Sequence, residues 1–82
     1  MAELESLDRQ FLEAARAARA SGRASDWVYA NLVRCALAVE RAEVQLALNP
    51  ARRNQQNLDG AMRALFRQAR QWRAVRAQAL RS

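Results

Sequence analysis

"SDWVYANLVRCALAVERAEVQLAL", residues Ser25–Leu48, decides the fold. At about 100° per residue, Val28, Leu32, Val33, Cys35, Ala36, Leu37, Val39, Val44, Leu46 and Leu48 cover most of a helix circumference. Only a narrow strip through Asn31, Arg34, Arg41 and Gln45 is plainly polar. A helix apolar over so wide an arc has to be covered from two sides, which makes this segment the centre of a bundle. Ser25 reads as its N-cap, and Asp26 just inside suits the positive end of the helix dipole.

The neighbours lie on either side in sequence. Before it, a helix over about residues 3–20 carries Leu4, Leu7, Phe11, Ala14 or Ala15, and Ala18 on one stripe. Glu3 and Glu5 in its first turn and Arg16 and Arg19 in its last suit the dipole. Ser21-Gly22 reads as its stop, with Gly22 free to adopt a left-handed cap conformation. After the central helix, Asn49-Pro50 punctuates the chain, with Asn49 as a cap and Pro50 at the first position of a helix over about 50–80. Its opening, "ARRNQQN", is polar enough for a loose turn, and Gly60 weakens the helix by about 1 kcal/mol relative to Ala. Beyond it, Leu58, Met62, Leu65, Ala69, Trp72 and Ala79 follow a 3.5-residue seam.

The fold expected is therefore all-α: a three-helix bundle, or a long antiparallel helical hairpin with a shorter N-terminal helix. One domain spans residues 1–82. A bend at Asn49-Pro50 sets Glu40 level with about Met62, and Trp27 level with about Val75. Trp27, Tyr29 and Trp72 then gather near the open end, with Trp27 and Trp72 in one buried layer and Arg76 within reach of Asp26. A chain of this length buries only about 60–65% of its unfolded surface. Its own core is marginal, and a partner or self-association is expected.

All 14 basic residues are arginine; lysine and histidine are absent. A vocabulary of Ala, Arg and Leu without Lys reflects GC-rich coding, which lowers the information carried by each arginine. The charge is unevenly placed. Residues 1–48 hold six Arg against seven acids, a net of −1, whereas residues 49–82 hold eight Arg against Asp59 alone, a net of +7. That polarity points to an acidic partner for the second half.

Catalysis is not expected. Without histidine the usual proton shuttle and metal ligand are missing, and no Gly-rich loop is present to cradle a phosphate. Cys35, the only cysteine, lacks a neighbouring base and reads as a small buried apolar group in a reducing compartment. Glu40 and Glu43 are i,i+3 neighbours, better read as helix-flank partners of arginine than as a catalytic pair. No catalytic residue, cofactor or metal site is assigned. No run of 18 apolar residues offers a membrane span. The acidic start "MAELESLDRQF" is not a secretory signal, so a cytoplasmic protein is expected.

What remains is binding. Met62, Leu65 and Phe66 lie where an apolar partner helix would dock. Arg52, Arg63, Arg67 and Arg70 fall on the opposite, basic face. That face reads as a solvated surface, as a contact for an acidic protein, or as a contact for a phosphate backbone without base readout.

"LALNPARRNQQNLDGAMRALFRQA", Leu46–Ala69, resembles the small helical-hairpin co-chaperones and export components of bacterial type III secretion. In that family a long helix ends at a turn, followed by a Gln-rich entry and a second amphipathic helix. Here Asn49-Pro50 stands at the turn and Gln55, Gln56, Asn57 and Leu58 at the entry. The N-terminal helix and the strongly basic second half depart from the pattern. The resemblance implies a small cytoplasmic chaperone or adaptor that binds another helical protein. The expected function is thus a non-catalytic helical protein-binding module or assembly subunit of a secretion apparatus, its partner a helical protein or a second copy. The alternative is a small basic subunit that contacts the phosphate backbone of nucleic acid through its arginine face.

Overall fold

The computed structural model describes residues 2–81, with side-chain surroundings from residue 4 onward, so the side chain of Glu3 lies outside the described residues. Three helices account for nearly all of it: α1 (Ala2–Ser21), α2 (Ala24–Leu48) and α3 (Arg52–Arg81). The all-α three-helix bundle read from the sequence is the observed architecture. At about 1.5 Å per residue, α3 alone is about 45 Å long, which sets the 47 Å long axis of the molecule.

α2 is the spine. Its buried residues fall in two sectors roughly opposite one another on the helix: Ala30, Val33 and Leu37 on one side, Val28, Cys35 and Val39 on the other. The first sector lies between Asp26 and Arg41, which bond to Ser21 and Asp8 of α1. The second contains Cys35, which lines a trough with Ala64 and Gln68 of α3. α1 and α3 each pack antiparallel on α2, and no described Cα of α1 comes within 8 Å of one in α3. Small side chains hold α1 close: Ala14 and Ala18 are its buried residues. α3 has no buried residue at all. Its seam (Leu58, Leu65, Ala69, Trp72 and Val75) is half-buried, because α2 covers it from one side only.

The two turns are specified locally. Gly22 takes φ +66 and donates its N–H to the Ala18 carbonyl at 2.8 Å, closing α1 in the left-handed manner read from the sequence. α2 then begins at Ala24, two residues before the expected start, so Ser25 lies inside the first turn and caps nothing. Ser21 takes over the turn instead. Its hydroxyl accepts from the Arg23 N–H at 3.1 Å and donates to the Asp26 carboxylate. Asp26 is thereby turned toward α1 and does not pair with Arg76.

At the second turn Asn49 ends α2 with its N–H on the Gln45 carbonyl at 2.9 Å. Pro50 and Ala51 form the link, and α3 begins at Arg52. The polar opening of α3 is regular helix from there, because its polar residues have partners. The Asn54 side-chain amide donates to the carbonyls of Asn49 at 2.7 Å and Gln45 at 3.4 Å, tying the start of α3 to the end of α2. Gln55 donates to Asp59 at 3.0 Å, one turn along.

The aromatic layer differs from the sequence expectation. Trp72 meets Tyr29, with ring centroids 5.3 Å apart and planes tilted by 50°. Trp27 is 44% exposed and belongs to no buried layer. Residues two apart on a helix are separated by about 200°. Only one of Trp27 and Tyr29 can therefore face α3, and the register selects Tyr29.

The two glycines make a paired test. A Cβ at either Gly22 or Gly60 meets nothing within 4 Å, so backbone conformation alone decides the outcome. Gly22→Ala forces a side chain into the left-handed region and should lower stability by about 1–2 kcal/mol. Gly60→Ala, in mid-helix, should raise it by about 0.5–1 kcal/mol. Urea denaturation of both variants checks the pair; changes of the same sign would contradict the assigned turn.

Candidate functional site

The outer face of α3 follows from its period. Once Leu58, Leu65, Ala69 and Trp72 turn toward α2, the residues at about 100–200° around the helix must face outward. Arg63, Phe66, Arg67 and Arg70 occupy that arc, and all four are exposed. They line one open trough of about 410 Å³, which the Phe66 ring, 56% exposed, shares with the three arginines. Arg63, Arg67 and Arg70 have no carboxylate partner within 4.0 Å among the described residues. The Arg41–Asp8 ion pair, at 3.3 Å, belongs to the α1–α2 contact.

A second trough, about 360 Å³, runs between α2 and α3 and is lined by Arg34, Cys35, Ala64, Arg67, Gln68 and Gln71. Arg67 borders both. The two troughs therefore form one band from Phe66 across α3 to Arg34 on α2. The band contains arginine and glutamine and no acidic residue. On its wall, the Gln68 Oε1 is buried without a hydrogen-bond partner among the described residues.

The structure sorts the residues singled out from the sequence. It brings Arg63, Arg67 and Arg70 together with Phe66 in one trough. Arg52 shares their face but lies eleven residues before Arg63, about 16 Å along the axis. Asp59 stands on the same face between them, so Arg52 is outside the band. Met62, 38% exposed, flanks the trough on the side nearer the seam. Leu65 is half-buried and packs toward α2, so it belongs to the fold more than to a partner surface. Sequence reading missed Arg34, Gln68 and Gln71. Arg34 stood out only as part of the polar strip of α2, and nothing in its own helix linked it to Arg67.

Cys35 is a free, buried thiol, in keeping with a packing role. Glu40 is half-buried and Glu43 exposed. Among the described residues no three of Cys, Asp and Glu gather as metal ligands would, and no helix is long and apolar enough to cross a membrane. No protein family, curated protein or solved structure matches the chain.

The assignment of Leu65 to the fold and Phe66 to the surface is testable. Leu65→Ala should cost about 2 kcal/mol, the low end for a leucine that is only partly enclosed. Phe66→Ala should stay within about 0.5 kcal/mol of the parent, as surface substitutions do. Thermal and urea unfolding of the two variants measure this, and an equal loss in both would place Phe66 in the core.

Proposed function

We propose that this protein is a non-catalytic binding module that takes a polyanionic partner along the outer face of α3. The observation that carries the reading is the trough shared by Arg63, Arg67, Arg70 and an exposed Phe66, whose lining includes no carboxylate. Clustered cations that find no internal partner raise the local concentration of anions and speed their capture. Guanidinium groups also hold carboxylate or phosphate through paired hydrogen bonds.

A second reading rests on Met62 and Phe66, both exposed beside the half-covered seam. They offer a foothold for a helix of another protein, as the likeness to the type III secretion co-chaperones implies, and the arginines would then meet acidic residues on that helix. Self-association through this face is disfavoured, because residues 49–82 carry +7 and two copies would set like charges together.

Retention on immobilised heparin tests the reading. An Arg63/Arg67/Arg70 triple alanine variant is compared with an Arg9/Arg16/Arg19 triple variant, which removes the same charge from exposed positions of α1. The α3 variant should elute at clearly lower salt than the α1 variant. Equal shifts would mean that net charge alone governs retention, and the reading would fail.

A further inference from the structure

We infer that the polyanion is the phosphodiester backbone of single-stranded nucleic acid, with Arg34, Arg63, Arg67 and Arg70 on phosphates and Phe66 stacked on a base; this rests on the binding-module reading above. Three observations favour phosphate over an acidic protein. First, the apolar area on offer beside the arginines is small. Of the apolar residues expected to dock a helix, Leu65 faces α2, leaving Met62 at 38% and Phe66 at 56% exposure. A protein partner needs an apolar centre larger than two side chains to bind stably. Second, the band carries hydrogen-bond donors suited to a backbone: four guanidinium groups with the Gln71 amide, joined across α2 and α3 through Arg67. Third, the exposed aromatic ring lines the same trough as three of the arginines. Proteins that bind single strands without sequence preference combine a positive groove with aromatic platforms in this way.

The extent of the site is modest. Arg63 to Arg70 covers about 10 Å of helix axis, and the arc from Phe66 to Gln68 covers about 200° of α3. A strand would cross α3 obliquely and reach Arg34 on α2. The guanidinium groups are assigned to phosphates, so contact is with the backbone whatever the sequence.

The test is fluorescence anisotropy with a labelled twenty-nucleotide oligo-dT, from low to moderate salt, with a polyglutamate of equal length as competitor. Four phosphate contacts on a single strand give a slope of log affinity against log salt of about −3. Arg34→Ala, Arg63→Ala, Arg67→Ala and Arg70→Ala should each reduce its magnitude by about 0.7. Circular dichroism verifies that each variant folds. Phe66→Ala should weaken binding by about five- to 150-fold at unchanged slope, the range measured for stacked aromatics. Arg34→Ala is the most discriminating variant, since only the band across both helices puts that residue on the strand. Polyglutamate displacing the oligonucleotide at equal charge concentration would overturn the phosphodiester assignment and leave the binding module intact. An unchanged slope in the Arg34 variant would overturn the band. If neither polymer binds at low salt, both this inference and the reading beneath it fail.

Discussion

Everything in this fold depends on α2 having two buried faces. An amphipathic helix with one apolar stripe needs a single neighbour, whereas α2 buries Ala30, Val33 and Leu37 on one side and Val28, Cys35 and Val39 on the other. A chain with only three helices can meet that demand by placing one helix on each side. The consequence is an open arrangement. α1 and α3 are held by α2 and do not approach each other closely. The buried side chains are mostly Ala and Val, with Cys35 and Leu37, so the core is thin as well as divided.

The same constraint sets the properties of α3. A helix packed against one neighbour is covered along one line only, and α3, the longest of the three, has no buried residue. Its outer half is free to carry charge at little cost to folding, and the sequence places arginine there with almost no acid. Exposed arginines without carboxylates are poor stabilisers of a fold. They are well suited to an external anion, and the Phe66 ring in the same trough adds a flat apolar surface. The band arises where α3 crosses α2: register along the hairpin, fixed by the short link at Pro50, brings Arg34 level with Arg67.

The helices were legible because their signals are strong and local. The wide apolar arc of α2 named it as the centre, Gly22 marked a left-handed stop, and Asn49-Pro50 marked the bend. What escaped were outcomes that depend on partners in space. Ser25 looked like a cap, but Ser21 reached across the turn and α2 began earlier. "ARRNQQN" looked loose because its polarity was visible, while the bonds from Asn54 back to the end of α2 were not. Trp27 and Tyr29 could not be told apart as partners of Trp72, since the choice needs the rotation of α2 against α3. The arginine cluster was readable from the period of α3, whereas Arg34, Gln68 and Gln71 became part of a site only when two helices met. Arg52, on the same face by period, was separated by distance along the axis and by Asp59.

Native-state hydrogen exchange across increasing denaturant tests the central claim, that α2 is a spine holding two helices independently. Amides of residues 28–39 should exchange slowest, since exposing them requires losing both interfaces, while α1 and α3 should open through separate sub-global events. Destabilising α1 should leave protection in the α2-facing part of α3 governed by its own opening. A single shared opening for α1 and α3 below that of α2, or protection in α3 exceeding that in α2, would contradict the arrangement described.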